Sequence, residues 1–193
     1  LNAFEAARKN GSTNNYSISH LQLIAESDYP RFAANKVLAS FQLFWAQPEN
    51  YSIEAVLPYI GKQRHSRMYP AASLLKSGAT IAGGSDWNVS TFNPMQAIAI
   101  GVSRLNLDEP DRGTLNSDEK LALATMLQAY TINAAKLLGR DQEVGSLIVG
   151  KKADIVILDK SINESMTAEQ IAKIKPILTF FDGKLVHQTE KTR

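Results

Sequence analysis

Ala79-Thr80-Ile81-Ala82-Gly83-Gly84-Ser85-Asp86 is a short apolar run that ends in two glycines, a serine and an aspartate. Its apolar residues do not alternate with polar ones, which marks a strand buried on both faces. Gly78 stops the helix predicted over Ala71 to Ser77 just before it. Further upstream, Val37-Leu38-Ala39-Ser40-Phe41 is a second strand of the same kind. Ser27 is placed to cap a helix from about Asp28 to Asn35, with Pro30 in its first turn. Tyr16-Ser17-Ile18-Ser19-His20 reads as the first strand. Strand, helix, strand, helix, strand with apolar strands predicts an α/β fold with a parallel sheet. His20 and Asp86 then fall at the C-terminal edge of that sheet, where such folds place their chemistry.

The segment between the second and third strands, 45–70, is broken by Pro48, Pro58 and Pro70, with a short helix near Ile53 to Ile60. After Asp86, Asn93 caps a helix from Pro94 to Leu105. Ser117 opens a long helix to about Tyr130, with Asp118 and Glu119 at its positive end. Thr131 to Leu138 is a further helix, stopped by Gly139. The texture changes near residue 140. Val144 to Leu147 and Lys152 to Leu158 read as strands separated by a turn at Gly150, and a helix follows near Ala168 to Lys173. Ile177 to Phe181 and Lys184 to His187 flank Asp182-Gly183, the pair that best suits a two-residue hairpin. Lys191-Thr192-Arg193 reads as a solvated tail.

The composition narrows the function classes. The 193 residues are 44% hydrophobic and 21% charged, as in an ordinary globular domain. A net charge of +2 gives no reason to expect nucleic acid as a partner. There is no cysteine, so disulfides, zinc–thiolate sites and cysteine nucleophiles are excluded. No apolar run is long enough for a membrane span, and Glu5, Arg8 and Lys9 rule out a signal peptide at the start. The cytoplasm is therefore the default compartment. The first residue is Leu, and the helix over residues 1–9 has no capping residue in front of it. The expectation is a natural chain that extends further upstream.

The residues able to do chemistry are few. His65 lies among Lys62, Arg64 and Arg67, and His187 ends the last hairpin, so both read as surface residues. His20 reads either as a hydrogen-bonded structural histidine or as a metal ligand. Asp86 reads either as a turn cap or as a ligand. Together, at one sheet edge, they suit a divalent cation such as Zn²⁺, Mn²⁺ or Fe²⁺, which lowers the pKa of a bound water to about 7. A catalytic zinc takes three protein ligands, and no other histidine is placed to help. Ser85 lacks the Gly-x-Ser-x-Gly elbow of a hydrolytic triad, and Gly145 and Gly150 are turn residues with no phosphate-loop pattern.

Several stretches resemble the amidohydrolase superfamily. Thr131 to Gly139 and Val144 to Asp159 are similar to its C-terminal signature, where the chain leaves a barrel and returns to a β-sandwich. Asp182 to Val186 resembles its last hairpin, and Gly84-Ser85-Asp86-Trp87 resembles its eighth-strand aspartate. Ser19-His20-Leu21-Gln22 resembles the sixth-strand histidine of the branch that includes the N-substituted formamide deformylases. The resemblance implies a metal-dependent (β/α)8 barrel that hydrolyses non-peptide C–N bonds in a small-molecule amide or cyclic amide. His20 would be a metal ligand. Asp86 would be both a ligand and the catalytic proton shuttle, with zinc the first candidate ion. The family's first-strand His-x-His, fourth-strand ligand and fifth-strand histidine have no counterpart in this sequence. A barrel needs ~250 residues. Residues 1–140 would thus be its last strands and helices, and 141–193 the C-terminal β unit of the composite sandwich.

These features lead to three expectations. The first is a C-terminal piece of a metal-dependent hydrolase, inactive on its own. The alternatives are a non-catalytic binding module on a hydrolase-derived scaffold, and an assembly in which another chain supplies the missing strands. A partial barrel leaves strand edges open, so a homo-oligomer through those edges is also expected. Trp87, Asn88, Phe44, Trp45 and Tyr51 are candidates to line a substrate pocket, or else pack within their loops.

Overall fold

The computed structural model describes residues 1–190. The tail at 191–193, read above as solvated, lies outside them. Helix α1 (Asn2–Lys9) leads into β1 (Tyr16–Ser19), α2 (Tyr29–Ala34) and β2 (Val37–Phe41). Helices α3 (Leu57–His65) and α4 (Ala71–Lys76) precede β3 (Ile81–Gly83). The three strands form one parallel sheet in the order β1-β2-β3. The register aligns Ser19 with Ser40 and Ser40 with Ala82.

All five residues of β2 are buried, as its uninterrupted apolar sequence requires of a central strand. Pro30 does lie in the first turn of α2, but Ser27 does not cap it: a single 3₁₀ turn over Glu26–Asp28 comes first, and no side chain caps the helix. A π-helical turn, Tyr51–Val56, runs into α3, so the short helix expected near Ile53 to Ile60 is longer and is broken at Gly61 (φ 74°).

Helix α5 (Pro94–Ser103) starts as its sequence dictates. The Asn93 side chain accepts the Met95 N–H at 3.0 Å, and Pro94 takes the first position. Met95, Ala97, Ile98, Ala99, Ile100 and Gly101 are all buried. A Cβ at Gly101 would meet the end of the Met126 side chain at 2.5 Å, so the glycine leaves room for that methionine of α6 (Leu123–Ala129). The long helix expected from Ser117 is not there. One 3₁₀ turn, Ser117–Glu119, is followed by extended chain, and α6 begins at Leu123. The buried Glu119 explains the break. Its carboxylate accepts the Ser73 N–H at 3.0 Å and the Ser73 hydroxyl, at the start of α4, and cannot also serve a helix of its own.

Helix α7 (Ile132–Leu137) ends at Gly139 with φ 68°. The strand expected at Val144 to Leu147 is a turn-rich loop instead. The Lys151 ammonium donates to the Asp141 carbonyl, to the Val144 carbonyl at 3.3 Å and to Ser146 Oγ at 2.7 Å, and so gathers the backbone into a curl. Strands β4 (Ile155–Leu158), β5 (Pro176–Phe181) and β6 (Lys184–Gln188) form a separate antiparallel sheet. Asp182 and Gly183 both have positive φ, at 50° and 77°, as a type I′ hairpin needs. Helix α8 (Ala168–Ala172) carries a Thr167–Gln170 capping box and packs on α5, placing Ile171 and Ile174 in the main core. Among the described residues no helix is long and apolar enough to cross a membrane.

Candidate active site

The C-terminal ends of the three parallel strands gather the residues that matter. His20 is the first residue beyond β1 and adopts a left-handed backbone, φ 70°. Leu21 follows at φ 48°, with its N–H folded back onto the Ser19 carbonyl at 3.0 Å and its side chain buried. Asp86 lies three residues beyond β3 and is also left-handed, φ 57°. Non-glycine residues in this region are uncommon and concentrate at functional sites. His20 is exposed and Asp86 half-buried. Among the described residues neither the His20 ring nor the Asp86 carboxylate joins a hydrogen bond or ion pair. Both keep their lone pairs available.

The turn after Asp86 is closed by its own backbone. The Val89 N–H donates to the Asp86 carbonyl at 2.7 Å, the Trp87 N–H to Ser85 Oγ at 3.2 Å, and the Ser90 hydroxyl to the Ser85 carbonyl. Trp87 and Phe92 pack edge to face at 6.5 Å on the outside of the molecule. Of the other residues considered for a pocket, Phe44 and Trp45 pack edge to face at 5.9 Å against the core. Tyr51 is exposed, its hydroxyl 3.5 Å from Gln22 Oε1.

Two residues that sequence reasoning did not single out also shape this edge. Gln42 follows β2, is buried, and accepts the His20 N–H on Oε1 at 2.8 Å. Tyr130 lies against Gly83, where a Cβ would fall 2.4 Å from its ring, and its hydroxyl donates to the Gly84 carbonyl at 3.3 Å. Burial raises the Tyr130 phenol pKa well above its ordinary value, which keeps it a neutral donor. Gly83 thus admits a tyrosine ring. An amide directly after an all-buried strand is the one signal that could have pointed to Gln42. Tyr130 has none, because its ring arrives from a helix 46 residues away.

His65 is not the surface residue expected. It is half-buried, with Nε2 at 2.9 Å from the Ser52 carbonyl, and it ties α3 to the turn before it. His187 is exposed as expected, 3.3 Å from Thr189 Oγ1. A cavity of about 640 Å³ opens among Arg8, Lys36, Val37, Thr80 and Lys136, at the strands' N-terminal ends. That edge serves stability in barrel folds, and it is remote from His20 and Asp86.

The donor chemistry at the C-terminal edge is an imidazole nitrogen and a carboxylate, both of which suit a divalent cation. Among the described residues no group of three or more His, Asp or Glu could hold a metal ion. His20 and Asp86 therefore fit as part of a ligand set and not as the whole of one.

A model of the amidohydrolase family matches residues 1–187. The chain is 30% identical over 185 residues to the protein LONG AFTER FAR-RED 3 of Arabidopsis thaliana, covering 94% of this chain and 30% of that protein. It is 29% identical over 126 residues to the N-substituted formamide deformylase of Arthrobacter pascens, covering 65% of this chain and 22% of that enzyme. The chain thus spans less than a third of either relative. Its fold matches an adenosine deaminase from Xanthomonas campestris with bound zinc, with a TM-score of 0.58 at 21% identity, over 88% of this chain and 36% of that one.

Proposed function

Because the chain belongs to the amidohydrolase family, we propose that it supplies the His20–Asp86 side of the active site of a metal-dependent hydrolase of non-peptide C–N bonds. The substrate class is a small amide or cyclic amide. The observation that carries this reading is the placement of an unpaired imidazole and an unpaired carboxylate at the C-terminal edge of one parallel sheet. The named activity of the formamide deformylase relative supports C–N chemistry. The zinc in the deaminase structure makes zinc the first candidate.

His20 and Asp86 would hold the metal together with ligands from barrel strands outside these 193 residues. A divalent ion bound there would lower the pKa of its water to about 7. Asp86 then acts as general base and general acid. One carboxylate oxygen takes a proton from the attacking water as the C–O bond forms, and gives it to the departing nitrogen as the C–N bond breaks. Asp86 sits in a left-handed turn three residues beyond β3, and the Tyr130 hydroxyl on the Gly84 carbonyl fixes the strand end that carries it.

The test is metal analysis and an amide-hydrolase screen on a polypeptide that joins this chain to the remaining barrel strands. It should contain a divalent ion and hydrolyse an amide, and Asp86→Asn should lower kcat/KM by about 10²–10⁴-fold. The 193-residue chain alone should be inactive. A metal-free product, or hydrolysis unchanged by Asp86→Asn, would overturn the reading. Ligand binding without either metal or hydrolysis would favour a non-catalytic module.

A further inference from the structure

Three strands end at the candidate site, and only the outer two carry candidate metal donors. The middle strand ends in Gln42. Its side chain is 6% exposed, yet it is polar and reaches both neighbours. Oε1 accepts the His20 N–H at 2.8 Å. Nε2 lies 3.4 Å from Ser40 Oγ and 3.1 Å from where a Cβ on Gly84 would sit, so the missing side chain of Gly84 makes its room. The backbone completes the link, with the Gly84 N–H donating to the Phe41 carbonyl at 3.0 Å.

This arrangement solves a local problem at His20. The regular ladder between β1 and β2 ends at Ser19 and Ser40, and the next residue turns left-handed. Its N–H leaves the ladder and needs another acceptor. Strands in a sheet lie about 4.8 Å apart, a gap that a glutamine side chain spans while an alanine or serine falls short. A left-handed backbone at a non-glycine residue persists only where the surroundings hold it. Without the Gln42 acceptor, His20 is free to relax toward extended geometry.

We propose that Gln42 is a positioning residue that locks the left-handed His20 turn against the Gly83–Asp86 turn, so that the imidazole keeps its place at the sheet edge that carries Asp86. This rests on reading His20 and Asp86 as metal donors. Gln42 itself touches neither the metal nor the substrate.

The test reads the His20 N–H itself, by amide hydrogen exchange in the ¹⁵N-labelled 193-residue chain. Gln42→Met keeps the volume but removes the acceptor, and should speed exchange at His20 by about fivefold relative to the β2 amides, the factor that one lost hydrogen bond represents. Gln42→Glu keeps an acceptor for the His20 N–H and should restore the wild-type rate. Gly84→Ala pushes Nε2 aside and should speed exchange as Gln42→Met does, which provides a second route if Gln42→Met fails to fold. Exchange at His20 unchanged in Gln42→Met or Gly84→Ala would overturn the positioning role alone. In a polypeptide that joins this chain to the remaining barrel strands, Mn²⁺ should broaden the His20 and Asp86 signals, and no broadening at either would overturn the donor reading, and the positioning role with it.

Discussion

Arg104 closes α5 in a left-handed conformation, φ 61°, with its side chain fully buried. Its Nε donates to the Leu115 carbonyl at 2.9 Å, and its Nη2 to the Met68 and Tyr69 carbonyls at 3.0 and 3.2 Å. No carboxylate pairs with it among the described residues, and Nη1 is buried without a partner. Burial pushes its pKa down to about 10, while the charge on Glu119 resists the shift, so it stays a cation at neutral pH. The guanidinium serves as a hub for three carbonyls from two loops that have no strand to satisfy them. Arg104→Met should therefore cost about 2 kcal/mol, since the Leu115 carbonyl loses its donor while the Met68 carbonyl keeps Asn116 Nδ2 and the Tyr69 carbonyl keeps the Ala71 N–H. Denaturant unfolding of the two proteins gives that difference directly, and a loss below about 1 kcal/mol would show that the carbonyls find water instead. The sequence reading carried the helix through Arg104 to Leu105, because a charged residue at a helix end ordinarily faces solvent. Burial of a cation on carbonyls leaves no mark in spacing or periodicity. The same limit hid Gln42 and Tyr130. His20 and Asp86 were legible because a strand end followed by a ligand-type side chain is itself a pattern.

At the scale of elements, the strands and hairpin were legible where one local rule decided the outcome. β2 is a run of buried apolar residues, and Asp182-Gly183 has the two positive φ values its dipeptide promised. Sequence reading failed where a side chain served a distant element. Glu119 reads as a first-turn acid for its own helix, yet it caps α4 through Ser73, 46 residues earlier. Lys151, just after the turn at Gly150, curls the loop at 141–146 around its ammonium. The Glu119 contact joins a carboxylate to the positive end of a short helix with a charge-assisted pair of hydrogen bonds. Glu119→Ala should cost about 2 kcal/mol. Amide exchange should quicken first at Ala71 to Ser73, ahead of the β2 amides. Equal acceleration at both would mean that the contact supports the whole core and does not cap α4 in particular.

The whole molecule carries two sheets whose exposure differs. In the first, β2 is sealed, and β3 is covered by α6 and α7, with Asn133 Nδ2 donating to the Ile81 carbonyl at 2.9 Å. β1 pairs with β2 alone and leaves its other edge open among the described residues. In the second, α8 anchors the unit to α5, but β6 is uncovered and β4 and β5 are only partly covered. Ile157, Leu185 and Val186 are 42%, 49% and 61% exposed, and every residue of β6 is exposed. Leu185 pairs with Phe180, and Phe180 with Ile155, so one apolar stripe crosses all three strands on one face. A contiguous apolar face beside an unpaired edge strand favours association. Each buried leucine contributes about 1.5–3 kcal/mol, and a symmetric contact uses every such residue twice. The 193-residue chain should therefore self-associate in sedimentation velocity at micromolar concentration. Leu185→Lys should weaken that association by at least about tenfold, while leaving the circular dichroism of the helices unchanged, because Leu185 lies outside the main core. If the Leu185→Lys chain associates as the wild type does, the stripe is not the contact. Ser17→Lys, at an exposed position of the open β1 strand, then separates the two exposed surfaces: monomer formation there would assign the association to the parallel sheet's free edge.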